Sequence, residues 1–214
     1  MIITSATVGP FEENCYLVVD DSIATRPAVL IDPGDEAPRL LALVVAAHAT
    51  LTAIWLTHAH LDHIGGIAGV KAVYDVPIFL HPLDQPLYAA GAKQAAAYGV
   101  PFVSPPPADG VLCDGQTLDV GTLGFQVLHV PGHAPGHVAF VAEGVVFGGD
   151  CLFAGSIGRT DLPGCNPHDL ERSLERLVAL PPPTVVWPGH GPATTVGAEL
   201  RTNPFLRQLS GLAR

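Results

Sequence analysis

The chain has 214 residues, 48% of them hydrophobic and 14% charged, with a formal net charge of −10, and this length suffices for one domain over residues 1–214 with a substantial core. The acidic charge and the lack of any basic run exclude nucleic acid as an expected partner, and no apolar run approaches the ~20 residues of a membrane helix, so no membrane contact is expected. The first 20 residues lack the basic and apolar regions of a signal peptide, and the four cysteines form no C-x-x-C pair, so we expect a cytoplasmic protein with reduced thiols.

Short apolar runs that are rich in β-branched or aromatic residues predict strands along the chain. They cover residues 1–8, 15–19, 28–32, 52–57, 76–80, 125–130, 138–142, 145–149 and 184–188. Helical periodicity predicts helices over 37–49, 67–75, 83–98 and 167–180, and one or two short helices within 197–212. Several strands are apolar on both faces, so an α/β or α+β chain with helix-covered sheets is favoured.

One short stretch, "IWLTHAHLDHIGG" at residues 54–66, concentrates side chains that bind metals: His58, His60, Asp62 and His63. In extended geometry, positions 58 and 60 face the same way. If the two following glycines start a helix, Asp62 and His63 are carried around the corner towards a neighbouring point. The turn is therefore predicted to serve two nearby metal ions, with the glycines allowing a tight turn and close packing.

Three later segments repeat the same arrangement, in which an apolar strand ends in a ligand-type residue within a Gly- or Pro-containing turn. They contain His133 in "VLHVPGH", Asp150 in "VVFGGDC" and His190 in "VVWPGHG". Functional residues are commonly held on loops at strand ends. Imidazole and carboxylate are ligands for zinc, iron and similar ions, so these segments predict further members of the same metal site.

The pattern H-x-H-x-D-H followed by distant H, D and H resembles the metallo-β-lactamase superfamily. Within it, "GDCLFAGSIGRTDLPG" is similar to the glyoxalase II-like hydrolases, particularly the short bacterial hydroxyacylglutathione hydrolase type. The resemblance implies a four-layer αβ/βα sandwich of two mixed β-sheets flanked by helices. It also implies that His58, His60 and His133 hold one metal, that Asp62, His63 and His190 hold a second, and that Asp150 bridges the two, with Asp62 and Asp150 taking part in catalysis.

The function implied by this resemblance is that of a metal-dependent hydrolase of thioesters. Two divalent ions share a water, lower its pKa and let the resulting hydroxide attack the carbonyl. Zinc is favoured, with iron or manganese as alternatives, and the substrate is a small-molecule thioester whose glutathione linkage is left open. Only 24 residues follow His190, so we expect the C-terminal helical domain that supplies much of the glutathione pocket in full-length glyoxalase II enzymes to be missing or reduced to the tail "NPFLRQL". The apolar segment at Phe205 and Leu206 either mediates homo-oligomer formation or caps the core.

Alternatives to thioester hydrolysis remain at this point. Persulfide dioxygenases share the fold but use one iron, which His58, His133 and Asp150 would hold here. Secreted zinc β-lactamases fit less well, because they need export and often carry a cysteine where Asp150 stands. A non-catalytic binding module is disfavoured, because no ligand of the pattern is missing.

Several other residues near the motifs have more than one interpretation. Arg159 is either a clamp for a substrate carboxylate or a residue that ties down its own loop. His137 either supports a metal ligand or packs at a strand start, and Cys151 is expected to be a small buried side chain. Asp32 in "IDPG" is expected to fix a turn near the site. The remaining histidines are expected to be structural: His48, His81, His129 and His168.

Overall fold

Two mixed six-stranded β-sheets lie face to face in a computed structural model that describes residues 1–208. The first sheet has the spatial order β1 (Ile2–Val8), β2 (Glu13–Val19), β3 (Pro27–Ile31), β4 (Thr50–Trp55), β5 (Ile78–Leu80) and β6 (Gly110–Val111). The second sheet consists of β7 (Thr117–Val120), β8 (Leu123–His129), β9 (Val138–Ala142), β10 (Val145–Gly149), β13 (Val185–Pro188) and β14 (Thr194–Thr195). Between β10 and β13, β11 (Leu152–Phe153) and β12 (Ser156–Ile157) form a separate antiparallel pair. The expected pair of mixed sheets is thereby confirmed.

Strand directions explain why the site residues gather at one edge. Strands β3, β4, β5 and β6 run parallel, as do β10 and β13, whereas the remaining ladders are antiparallel. The carboxyl ends of parallel strands meet at one edge of a sheet, which is where ligand sites of α/β sheets are commonly built. The loops after β3, β4, β10 and β13 contain Asp32, His58, Asp150 and His190.

Seven α-helices are present in the described residues: α1 (Ala37–Ala46), α2 (Leu61–Ile64), α3 (Ile67–Lys71), α4 (Gln85–Ala89), α5 (Gly91–Tyr98), α6 (Pro167–Val178) and α7 (Val196–Thr202). Each predicted strand is found, but the short strands β6, β7, β11, β12 and β14 were not predicted. The helix predicted over 83–98 is interrupted at Ala90, so that α4 and α5 are separate. The predicted terminal helix ends at Thr202 and is followed by a 3-10 turn at Leu206–Gln208, and the rest of that prediction lies outside the described residues.

Three clusters of buried apolar side chains define four layers. Strand β2 is buried on both faces: Cys15, Leu17 and Val19 face one cluster, whereas Tyr16 and Val18 face another. The first cluster packs the first sheet against α1 and α3, the second fills the space between the sheets, and the third packs the second sheet against α6. The layers are therefore helix, sheet, sheet, helix, as the resemblance implied.

The structure also bears on the expectations for membrane helices, for the cysteines and for the C-terminal apolar segment. No helix within residues 1–208 is long and apolar enough to cross a membrane. All four cysteines lie in the described part of the chain and none is in a disulfide, with Cys151 buried as expected. Leu206 is buried in the third cluster, so it caps the core, whereas Phe205 is 43% exposed. The formation of a homo-oligomer stays a prediction.

Candidate metal centre

The seven side chains predicted to bind metal lie together between the two sheets at their shared edge. They form three overlapping groups whose donor atoms lie within 4.8 Å of one another: His58, His60 and His133; His58, His63 and Asp150; Asp62, His63 and His190. The turn before α2 and α2 itself supply four of these residues, and the other three come from the loops after β8, β10 and β13. The structure thus brings together all the positions that the sequence pattern singled out.

The first half of the cluster consists of three imidazoles. His60 Nδ1 lies 3.0 Å from His58 Nε2 and 2.9 Å from His133 Nε2. All three residues are buried, with exposed fractions of 0%, 8% and 3% for His58, His60 and His133. Three ring nitrogens therefore face one another with little exposure to bulk water.

Hydrogen bonds on the outer side of two rings determine which nitrogen faces inwards as an acceptor. His133 Nδ1 donates to the carbonyl oxygen of Arg159 at 2.9 Å, which leaves the Nε2 lone pair for the cluster. His58 Nδ1 lies 3.1 Å from Thr57 Oγ1. Because that hydroxyl donates to Asp32 Oδ2 at 2.6 Å, it accepts from His58, whose Nε2 is then also a free acceptor. Such outer partners fix the tautomer of metal-binding histidines.

The second half of the cluster combines imidazoles with a carboxylate. His190 Nε2 lies 3.4 Å from Asp62 Oδ2. His63 Nδ1 donates to Asp32 Oδ2 at 3.0 Å, so its Nε2 points into the cluster. That Nε2 atom is buried and has no hydrogen-bond partner among residues 1–208.

Asp150 lies between the two halves. Its Oδ2 is 3.5 Å from His133 Nε2 and 3.4 Å from His190 Nε2, and its Oδ1 is 3.5 Å from His63 Nε2. The backbone N–H of Asp150 donates to His137 Nε2 at 2.9 Å, so His137 supports the loop that carries the carboxylate. A Cβ atom at Gly189 would lie 2.1 Å from Asp150 Oδ1, so only glycine leaves room for the carboxylate.

Two observations indicate that these residues fit a pair of metal ions. His63 Nε2 and Asp150 Oδ1 are buried polar atoms that lack hydrogen-bond partners within residues 1–208 and face the cluster, and such atoms are costly without a ligand. Nitrogen ligands of tetrahedral zinc, about 2.0–2.1 Å from the ion, lie about 3.3–3.4 Å apart. The three imidazole nitrogens at 2.9–3.0 Å need only small outward shifts to reach that spacing.

Burial keeps the first half of the cluster neutral. It lowers the pKa of His58 well below its usual value, with a further contribution from the neighbouring imidazoles. Burial, then repulsion from His133, lowers the pKa of His60 to about 4, and the pKa of His133 is also lowered by burial. Neutral imidazoles are the form that binds metal, so this half is ready to receive an ion at neutral pH.

The second half has the opposite electrostatics. Burial would lower the pKa of His190, but hydrogen bonds to Asp150 and Asp62 outweigh it and raise the pKa to about 10. Burial also opposes the charge on His63, yet Asp150 and Asp32 raise its pKa well above the usual value. Burial would raise the pKa of Asp150, but the interaction with His63 outweighs it and keeps the carboxylate ionised. Without metal, protons therefore occupy this half of the site.

The expectation that the two glycines carry Asp62 and His63 around the corner is wrong. The residues lie in α2, which begins at Leu61, before the glycines. Gln94 on α5 replaces the missing N-terminal cap: its Oε1 accepts from Leu61 N at 3.1 Å, and its Nε2 donates to Ala59 O at 3.1 Å and Leu87 O at 2.8 Å. The start of α2 is thus held by a side chain some 30 positions away.

The two glycines have the other predicted role, which is close packing. Neither has a positive φ. A Cβ atom at Gly65 would lie 2.6 Å from Gly34 O, and one at Gly66 would lie 2.8 Å from Pro33 O. The loop after β3 therefore packs directly against the segment that carries the candidate ligands Asp62 and His63.

Sequence reasoning missed three supports of the site, of which two are buried and one is half-buried. Asp84 accepts from Ala59 N at 3.0 Å and from Gly136 N at 2.5 Å, and burial raises its pKa to about 6. Glu13 is fully buried 3.9 Å from His63 Nδ1, and burial raises its pKa well above the usual value. Gln94 is the third. No local pattern marks any of them, because their partners lie far away in the sequence.

The cavity in front of the cluster has a volume of about 120 Å³ and is lined by Asp62, His133, Asp150 and Arg159, among others. The Arg159 guanidinium is paired with Asp161 through two hydrogen bonds, at 2.6 Å and 2.7 Å. The backbone of Arg159 contacts the cluster through His133. The side chain of Arg159 thus ties down its own loop through Asp161, as one of the two interpretations holds. It also lines the cavity, so its role as a clamp for a substrate carboxylate stays a prediction.

A family comparison identifies this arrangement. The model of the metallo-beta-lactamase superfamily matches residues 8–190, which include every position of the cluster. The chain belongs to the metallo-beta-lactamase superfamily. The protein is therefore an enzyme of this superfamily, and its His/Asp cluster supports a dinuclear metal site.

Similar proteins cover nearly the whole chain. Hydroxyacylglutathione hydrolase GloC of Haemophilus influenzae is 37% identical over 213 residues, covering 95% of this chain and 97% of that protein. The crystal structure of TTHA1623 in a di-iron-bound form has a TM-score of 0.88 at 51% identity, covering 95% of this chain and 100% of that one. BLEG-1 B3 metallo-beta-lactamase has a TM-score of 0.88 at 38% identity, covering 96% and 99%.

Proposed function

We propose that this protein is a metal-dependent hydrolase of small-molecule thioesters of the hydroxyacyl-thiol type, with zinc as the favoured metal and iron or manganese as alternatives. The proposal rests on one observation above all: Asp150 lies within 3.5 Å of imidazoles from both halves of the cluster, so the donor set has two centres and one shared carboxylate. The similarity to GloC supports a thioester as the substrate.

In this proposal each of the seven side chains has a role at one ion or at both. His58, His60 and His133 would hold one ion, Asp62, His63 and His190 would hold the second, and Asp150 would be shared by the two. When bound, the ions polarise the thioester carbonyl and lower the pKa of the attacking water.

Asp62 and Asp150 are the proposed catalytic residues of the chain. Burial opposes the charge on Asp62, but the hydrogen bond from His190 outweighs it and lowers the pKa, so this carboxylate is ionised and lines the cavity. It can orient the attacking water and accept its proton, which then passes to the leaving thiol. Arg159 is the proposed contact for a substrate carboxylate, and it has to exchange its pair with Asp161 to make that contact.

Hydrolysis of a β-lactam amide is a second candidate, because BLEG-1 B3 metallo-beta-lactamase covers 96% of the chain at 38% identity. Both reactions place a water beside a carbonyl carbon, so the same cluster suits either substrate. They differ in the leaving group, which is a separate thiol in one case and a tethered amine in the other. Only substrate comparison separates them.

The test uses protein purified without added metal, then loaded separately with zinc, iron or manganese, with metal content measured by elemental analysis. S-Lactoylglutathione, a short-chain acyl thioester and a cephalosporin are compared by kcat/KM, and oxygen uptake is measured with glutathione persulfide. About two ions per chain and preferred thioester hydrolysis support the proposal. A single iron with robust oxygen uptake supports a dioxygenase instead, and a preference for the cephalosporin supports the second candidate.

A further inference from the structure

The small cavity at the cluster continues into a larger groove. The groove has a volume of about 330 Å³, and it shares His60, Gln94, Tyr98 and Leu162 with the cavity of about 120 Å³. A volume of this size falls in the range of small-molecule sites, about 300–1,000 Å³. A molecule whose reactive group lies at the cluster therefore has room for one long arm in the groove.

The walls of the groove are mainly apolar. Helix α5 supplies Ala97 and Tyr98 on one side, and the loop after β12 supplies Leu162 and Pro163 on the other. Apolar walls bind an extended hydrocarbon arm by removing its surface from water. They offer few partners for the amide and ammonium groups of a peptide-like arm.

One cation lines the groove. Lys93 on α5 is exposed and forms no ion pair with any residue in the range 1–208. The only other lysine, Lys71 on α3, is paired with Asp75 at 3.1 Å. The chain carries a net charge of −10, so the protein as a whole repels anions. The unpaired ammonium group of Lys93 attracts an anion locally, beside the apolar groove.

A second cavity, smaller than the groove, also borders Asp62. It has a volume of about 130 Å³ and is lined by Gly34, Phe11 and Phe102, among others. The rings of Phe11 and Tyr98 meet edge to face at 5.3 Å, between this cavity and the groove. A bulky half of the substrate fits the groove, and a small half fits the second cavity. In a lactoyl thioester of a long-chain thiol, the thiol is the bulkier half.

We propose that the groove binds the thiol half of the substrate, and that this half is an extended, mainly apolar arm ending in an anionic group held by Lys93. The inference rests on the proposed thioester hydrolysis and adds the chemical class of the thiol. It assigns Lys93 as a specificity-determining residue, in addition to the proposed contact at Arg159.

The experiment uses the metal-loaded protein and thioesters that share one lactoyl group. The thiols are 6-mercaptohexanoate, its neutral counterpart 6-mercaptohexanol, and the short 2-mercaptoethanol. We expect the carboxylate substrate to have a kcat/KM about fivefold above its neutral counterpart, as an exposed ion pair gives. We expect both six-carbon thiols to exceed the short one by at least about tenfold, because of the buried methylenes.

Two variants and one matched control assign these preferences to the groove. Lys93→Gln removes the fivefold preference for the carboxylate through KM, whereas Lys71→Gln, at the other lysine, leaves it unchanged. Ala97→Trp, at an exposed helix position, fills the groove and lowers kcat/KM for the six-carbon thiols but not for the short one. Calorimetry with a non-hydrolysable thioether analogue of the carboxylate substrate provides the same comparison without turnover.

The outcomes separate this inference from the function on which it rests. Absence of thioester hydrolysis by protein with full metal content overturns the proposed function. If the thioether analogue also fails to bind, the assignment of the groove as the site of the thiol half is overturned as well. Hydrolysis of all three thioesters at equal efficiency overturns the inference alone. Loss of the carboxylate preference in both lysine variants also overturns it, because the preference is then a property of the overall field.

Discussion

Replacement of Asp32 by asparagine tests whether a buried carboxylate outside the cluster supports His63 as a proposed metal ligand. Asp32 is 2% exposed and accepts three hydrogen bonds: from Thr57 N at 2.7 Å, Thr57 Oγ1 at 2.6 Å and His63 Nδ1 at 3.0 Å. Its φ is +50°, a conformation that asparagine also tolerates, so the backbone is expected to stay unchanged. The substitution therefore alters hydrogen bonding and little else.

The size of the effect follows from the geometry. An asparagine amide placed at the Oδ2 position presents N–H groups to His63 Nδ1, which then has to be an acceptor. The His63 proton moves to Nε2, the nitrogen that faces the cluster. If the amide is flipped instead, the buried Thr57 N–H loses its acceptor, at a cost of about 1–3 kcal/mol. Loss of such an outer partner weakens metal binding by about 10–100-fold.

The assay compares wild-type and Asp32→Asn protein in competition with a chelator of known affinity, and by thermal unfolding without metal. We expect the affinity to fall by about 10–100-fold and Tm of the metal-free protein to fall by roughly 2–12 °C. Asp119→Asn, at an exposed position of β7, is the matched control and is expected to change neither quantity. Wild-type metal affinity in Asp32→Asn would refute the role assigned to this carboxylate.

Three further predictions follow from the same geometry. The pKa of His190 is raised to about 10 and that of His63 is also raised, whereas that of His60 is lowered to about 4, so metal binding at pH 7 is expected to release about two protons, and the half with His190 should lose metal first as the pH falls from 8 to 6. Calorimetry in two buffers measures the proton release, and metal content against pH measures the order of loss. Release of no protons would contradict the prediction. Asp150→Ala is expected to strip or displace metal and abolish activity while the fold survives, and elemental analysis showing unchanged occupancy would refute the bridging role. Gln94→Ala leaves Leu61 N–H without its acceptor, so unfolding in urea should show a loss of about 1–3 kcal/mol together with weaker metal binding; unchanged metal affinity would show that Gln94 does not hold the metal-binding turn.

The amino-acid sequence alone determined the donor set of the candidate site. Three imidazoles and a carboxylate within six positions, and three later strand ends with a ligand-type residue, are a strong local signal. The resemblance to the superfamily rested on the same pattern, and the two helix-covered sheets were implied by that resemblance; both are confirmed. The donor pattern is readable because it depends on residue type and on spacing within short segments.

The tertiary structure alone decided how those donors are held and what lies in front of them. Asp32 bonds to Thr57 and His63, and Gln94 bonds to Leu61, across separations of 25 to 33 residues. The groove that contains Lys93 is formed by a helix and by a loop more than 60 positions further along. Local periodicity carries no information about such pairs, because long-range contacts depend on how sheets and helices pack. The same packing sets the burial that keeps His58 neutral, while carboxylates brought close by the fold raise the pKa of His190.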